Sequence, residues 1–273
     1  MGFTVWSSLL RTTIAIYKNR SLFQNWWIKL LAYTDAGQTD IAVLGRANVG
    51  KSVLSSHLHG EASNLSFDIP STSSSVEIKA IQIGEWTQLV RVIPGQDNRN
   101  RADALRENFN NQKTQGVIYV VDWGYTDVRS TTFKEKLIKE DKLDTIEKIR
   151  AYNMERELDD LRDVLKVIKD SHLLGKGPKW LVIAVNKVDL FHDQIDEAQR
   201  YYDPTFDSRF TTLIKTTMND IGAMNMKVVA LPLISWDTNF EWAGEKIESM
   251  TGGKEDVRNL TKNFISAIVE LSN

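Results

Sequence analysis

The sequence predicts an α/β protein with a mostly parallel six-stranded sheet flanked by helices and an N-terminal helical extension. Three observations carry this expectation. Short apolar runs alternate with polar, helix-like stretches from residue 39 onward. The first run leads directly into a glycine-rich loop, and the fifth ends in Asn-Lys-Val-Asp. Buried parallel strands joined by crossover helices produce this rhythm.

The elements follow in chain order. Residues 1–37 read as a basic amphipathic extension, because Arg11, Lys18, Arg20 and Lys29 precede the first acid, Asp35. Phe3, Trp6, Leu10, Ile14 and Tyr17 recur at helical spacing, and Phe23, Trp26, Trp27, Leu30 and Leu31 form a second stripe after a cap at Ser21. Such a segment suits a helical pair packed on the main domain, a membrane-surface helix spanning 1–34, or a partner-binding helix. Polar interruptions and the lack of a small-residue cleavage site argue against a secretory signal. Residues 38–273 form the main domain. Its strands are expected at 41–44, 76–83, 87–93, 117–121, 181–185 and 228–233, with Gly84, Glu85 and Trp86 turning a hairpin between the second and third. Leu158, Leu161, Leu165 and Ile168 mark one long helix; Val257, Leu260, Phe264, Ile268 and Leu271 mark the last. The stretch 125–178 is longer than a simple crossover needs and reads as an enlargement with solvated faces and room for a partner surface.

Composition narrows the function classes. A 42% hydrophobic chain of 273 residues can build a sizeable core, and its 26% charged residues nearly cancel to −2, so no global surface for nucleic acid is expected. The absence of cysteine excludes disulfides, thiolate metal sites and cysteine nucleophiles. No run of about 18 apolar residues is present to span a bilayer. A cytoplasmic protein, peripheral at a membrane if residues 1–34 bind one, is the expectation.

The glycine-rich loop is "GRANVGKS", Gly45 to Ser52, fitting G-x-x-x-x-G-K-S/T. Glycines let backbone N–H groups close around phosphate oxygens, Lys51 neutralises the β and γ phosphates, and the Ser52 hydroxyl suits Mg²⁺. The pattern arises by chance in roughly one chain of this length in a hundred, so a mere glycine turn is a weak alternative. "NKVD", Asn186 to Asp189, ends a strand at the edge where open α/β sheets bind ligands. A carboxylate at Asp189 can accept both N1–H and the 2-amino group of guanine, whereas adenine offers neither donor. His57 and His59 lie two apart, on different helix faces, and are given no metal.

With both motifs in order, residues 39–273 resemble the Ras-like and Era-like small GTPases of the translation-factor class. The resemblance implies a P-loop GTPase fold, GTP or GDP and Mg²⁺ as ligands, and nucleotide contacts from Gly45, Asn48, Val49, Gly50, Lys51, Ser52, Val53, Asn186, Lys187 and Asp189. It also gives meaning to "RVIPGQ", residues 91–96. The family's third motif is Asp-x-x-Gly, often followed by Gln; Gly95 and Gln96 match, while Val92 stands where the acid is expected. Gly95 would then sense the γ-phosphate and Gln96 orient the attacking water, with Lys51 completing the catalytic set. "IPGQ" is similar to the third motif of bacterial Ras-like polarity GTPases, which keep Pro-Gly-Gln and replace the acid with a hydroxyl residue. Losing an outer partner of a metal costs about 10- to 100-fold in affinity, which weakens the Mg²⁺ site without abolishing it. Asp122 is an alternative acid, although Arf-type chains carry one there beside a normal third motif.

Switch one falls in "DIPSTSSSVEI", where the resemblance implies Thr72 as a second Mg²⁺ ligand, with Ser73 the alternate because of Pro70. Ser235 stands for the serine of the fifth motif, which Trp236 and Asp237 otherwise leave. Asn48 matches an asparagine that potassium-activated Era-like GTPases use to hold K⁺. The functional expectation is a slow GTP-hydrolysing switch, with effectors or regulators meeting residues 60–75 and 94–112. A hydrolysis-poor GTP-binding scaffold and a membrane-associated or assembly module gated by nucleotide are the alternatives.

Overall fold

The computed structural model describes residues 41–58, 77–83, 86–95, 99–107, 109, 114–251 and 254–272. The N-terminal extension, the switch-one segment with Thr72 and Ser73, Gln96 and His59 lie outside the described residues. The first half contributes β1 (Ile41–Leu44), α1 (Lys51–Leu58), β2 (Glu77–Ile83), β3 (Trp86–Val92), α2 (Arg99–Arg106) and β4 (Gly116–Val121). Next come α3 (Thr131–Lys139), α4 (Ile146–Leu173), β5 (Trp180–Val185) and a 3₁₀ segment (Val188–Gln194). The chain continues with α5 (Ile195–Tyr202), α6 (Arg209–Ile221), β6 (Lys227–Pro232), a short β7–β8 hairpin (Phe240–Trp242 and Glu245–Ile247) and α7 (Lys254–Ser272).

The six long strands form one sheet in the order β2-β3-β1-β4-β5-β6. Only β2 runs antiparallel, paired along its length with β3. Strands β4, β5 and β6 each begin one residue earlier than the apolar runs predict. The reason is the parallel ladder, which aligns Ile41 with Gly116, Gly116 with Trp180 and Trp180 with Lys227. Gly116 and Lys227 carry no apolar signal, yet their backbones pair. A side chain at Gly116 would put its Cβ 1.9 Å from the Trp180 ring, so the large indole dictates the smallest residue beside it.

Alternation along the strands divides the core between two faces. Val43, Val90, Val92, Ile118, Val120, Val182 and Ala184 pack with Leu54 and Leu58 of α1 and Phe264 and Ile268 of α7. Ala42, Leu44, Val117, Tyr119, Leu181 and Ile183 face the opposite layer, where α4 supplies Leu158, Leu161, Leu165 and Ile168 and α6 supplies Phe210 and Ile214. Helix α4 starts where the Thr145 side chain accepts from the Lys148 N–H, and α6 starts on a reciprocal capping box between Ser208 and Thr211.

Candidate nucleotide-binding site

The loops leaving the carboxyl ends of β1, β3, β4, β5 and β6 converge. After Leu44 the chain turns at Gly45, whose φ is 130° and where a Cβ would lie 2.3 Å from the Val120 carbonyl oxygen. It closes at Gly50, with φ 99° and a hypothetical Cβ 2.4 Å from Asn186 Nδ2. Both positions therefore demand glycine for conformation and for space. Lys51 opens α1, is buried, and donates from Nζ to the Arg46 carbonyl at 2.7 Å. Burial lowers its pKa to about 7, so an anion placed beside it would restore its charge.

Asn186 joins three loops. Its Nδ2 donates to the Val49 carbonyl at 2.8 Å, and its Oδ1 accepts the Ser235 N–H at 2.9 Å. His57 binds the Ser235 carbonyl, which ties α1 to the same junction and gives this histidine a structural contact. Lys187, in the left-handed region at φ 60°, sends Nζ to Asp122 at 3.0 Å, to Asp127 at 3.5 Å and to the Tyr125 carbonyl. Burial opposes its charge, but Asp122 and Asp127 outweigh that and hold the pKa above the ordinary lysine value. The other Asp122 oxygen accepts the Thr126 hydroxyl at 2.7 Å. Asp122 thus braces Lys187 and Thr126.

Asp189 is 1% exposed, and neither carboxylate oxygen has a hydrogen-bond partner. Burial pushes its pKa up, and the nearby Ser249 hydroxyl offsets only part of that. The Ser235 hydroxyl is also buried without a partner. A buried acid left unpaired costs about 1–3 kcal/mol or more, and a base edge carrying two N–H donors would remove that cost.

The third motif rests on the phosphate loop. The Gly95 carbonyl accepts the Ala47 N–H at 2.9 Å, and a Cβ at Gly95 would lie 2.3 Å from Ala47 N and 2.4 Å from Lys51 Nζ. Val92 is 1% exposed and packs in the cluster containing Val43, Val49 and Leu54. Apolar packing thus occupies the position at which an acid was expected. Asn48, at φ 66°, donates from Nδ2 to the Asp127 carbonyl at 2.9 Å and anchors the loop to the segment after β4. Ser52 lies in the first turn of α1, and Val53 is buried in that helix.

A polar network on α4 escaped the sequence reading. Arg46 donates to the Asn153 carbonyl at 3.0 Å, Arg101 of α2 pairs with Asp160, Tyr119 donates to Asp160 at 2.8 Å, and Tyr202 donates to Glu157 at 2.8 Å. Asn153, Glu157 and Asp160 are all buried. Their i, i+4, i+7 spacing beside Leu158 and Leu161 was the available signal, since polar groups inside an apolar stripe need partners.

The sheet order and the loop that follows β1 are those of the P-loop GTPase fold. Residues 40–168, just under half of the chain, match the family model for the 50S ribosome-binding GTPases. Among solved structures, the chain is similar to Toc33 from Arabidopsis thaliana in complex with GDP and Mg²⁺. That likeness has 13% identity, coverage of 93% of each chain and a TM-score of 0.45. The Arl6 BBS3 small GTPase from Trypanosoma brucei with bound GppNp is similar at 11% identity, over 86% of this chain and 98% of that one, with a TM-score of 0.43. The mammalian SRP receptor follows at 15% identity, over 71% and 90%, with a TM-score of 0.41. None of the curated proteins matches the chain in sequence.

Proposed function

We propose that the protein is a GTP-hydrolysing molecular switch that turns over slowly without an activator. The observation that carries guanine recognition is Asp189, a buried carboxylate with no partner at the end of β5. Around it, Gly45 to Val53 would hold the phosphates, and Asn186 would keep the phosphate loop and the Ser235 loop in register. The Ser52 hydroxyl, in the first turn of α1, suits Mg²⁺, with Thr72 its expected companion from switch one. Bound there, Mg²⁺ would neutralise charge on the β and γ phosphates.

The switch reading rests on Gly95. Its carbonyl engages the Ala47 N–H, while Lys51 engages the Arg46 carbonyl. A γ-phosphate recruiting the Ala47 N–H and Lys51 would compete with both contacts, so triphosphate binding would move the third motif away from the loop. Gln96 would then orient water, and segments 60–75 and 94–112 would present the change to effectors or regulators. Slowness follows from Val92, which supplies no carboxylate, and from Asp122, which is committed to Lys187 and Thr126. Potassium assistance through Asn48 is a finer version of this reading, tested by comparing turnover in KCl and NaCl; the Asn48 amide nitrogen engages Asp127.

Single-turnover phosphate release from protein preloaded with GTP tests the proposal. Slow release in the unmodified protein, abolished in Gln96→Ala, is the expected result. Tight GTP binding with no release over hours would instead favour the hydrolysis-poor scaffold.

A further inference from the structure

We propose that the sheet edge opposite the nucleotide site docks on an anionic lipid bilayer. This edge is the row formed by the first residues of four parallel strands, Ile41, Gly116, Trp180 and Lys227, aligned by the ladder register. With strands of four to six residues, it lies roughly 13–20 Å from the nucleotide loops. Two adjacent turns project there. One follows α4 and enters β5; the other follows α6 and enters β6, and the Lys227 N–H bonds the Lys179 carbonyl between them at 2.9 Å. Three of the five exposed large apolar side chains among the described residues occupy these turns: Leu173 at 77%, Leu174 at 58% and Met224 at 97%. So concentrated a set at one edge calls for a binding role.

Charge identifies the occupant. Lys176, Lys179 and Lys227 are exposed on the same turns, and residues 171–180 and 221–230 contain no acid. The flanking acids are Asp170 on the last turn of α4, Glu270 on the last turn of α7, and Asp220 on α6, of which Asp220 is paired with Lys169 at 2.6 Å. Burial holds the His172 pKa below the ordinary histidine value, which disfavours a charge on that ring. Apolar tips ringed by lysines match an interface in which methyl groups enter the headgroup layer and ammonium groups meet lipid phosphates. In the sequence, β1 is preceded by residues 1–34, which hold four basic residues, seven aromatics and no acid. Nucleotide loops at the opposite edge would face away from the lipid, accessible to partners. The inference stands apart from the catalytic reading, since none of these residues touches the nucleotide site.

The experiment is co-sedimentation of the full-length chain with phosphatidylcholine vesicles, with and without phosphatidylglycerol. Two variants are compared: Leu173→Ser/Leu174→Ser/Met224→Ser and Lys176→Glu/Lys179→Glu/Lys227→Glu. All six positions are exposed, and unchanged thermal unfolding and guanine nucleotide affinity would show that the fold and site survive. One lysine near an anionic surface is worth roughly fivefold in partitioning, so each triple variant is expected to bind phosphatidylglycerol vesicles at least tenfold more weakly. The unmodified chain should bind pure phosphatidylcholine weakly. Failure of the unmodified chain to bind, or undiminished binding by either variant, overturns the proposal. So does self-association that depends on Met224 without vesicle binding, which would make the occupant a second copy.

Discussion

At the scale of single residues, the proposed guanine selectivity rests on Asp189. Its carboxylate is buried and unpaired, and its pKa is raised chiefly by burial. Guanine would stabilise the ionised form through two N–H donors, so the pKa should fall on binding. GDP affinity is therefore expected to be full above the raised pKa and to decline as pH falls through it, by up to about tenfold per unit. In Asp189→Asn that decline should vanish, GTP affinity should drop on the order of 10²-fold and xanthine nucleotide should be preferred. Calorimetric titration across acid pH reads all three; a parallel decline in the variant would assign the proton elsewhere.

Glu157 makes the opposite use of burial. Its pKa is raised from 4.5 to about 8, first by desolvation and then by Asp122, with the Tyr202 hydrogen bond acting against the rise. A folded-state pKa above the unfolded value contributes stability that is full below about 4.5 and lost as pH climbs towards 8. Glu157→Gln keeps an acceptor for Tyr202 and cannot ionise. Denaturant unfolding is expected to show the variant gaining on the unmodified protein from pH 5.5 to 8.5, by on the order of a few kcal/mol. Parallel pH curves would contradict this.

At the scale of elements, α4 couples parts of the site that are distant in sequence. Its buried face reaches the phosphate loop through Arg46 and Asn153, and α2 through Arg101 and Asp160. Removing one partner of a buried ion pair typically costs about 3–5 kcal/mol, because the other charge is stranded. Arg101→Ala and Asp160→Asn are each expected to approach that loss. The double variant should recover at least about 1 kcal/mol relative to additivity, a coupling that a double-mutant cycle of unfolding free energies measures. Additive losses would show that the pair is not coupled. Apolar periodicity made α4 visible in the sequence, but not its partners. Arg101 and Asp160 are local polar residues until the fold joins them, and no spacing rule links residue 46 to 153.

Across the whole molecule, the sheet was the most legible feature, since five buried parallel or mixed runs had the length and composition of strands and the two nucleotide motifs sat at their ends. The β7–β8 hairpin was not legible: Phe240 and Trp242 are buried, but three-residue strands carry too short an alternation to read. Likewise Val92 could be seen to lack an acid, while only packing shows that it fills the cluster with Val43, Val49 and Leu54. Glycine positions were legible as a motif; their necessity comes from Val120, Asn186 and Lys51 crowding Gly45, Gly50 and Gly95.

Selection of guanine by this convergence of loops is the property on which the proposed function depends most. Displacement of a fluorescent GDP analogue by unlabelled nucleotides measures it directly in the purified protein with Mg²⁺. GDP and GTP are expected to displace the probe with ATP at least roughly 10²-fold weaker, as the loss of two charge-assisted hydrogen bonds requires. Equal displacement by GTP and ATP would contradict it.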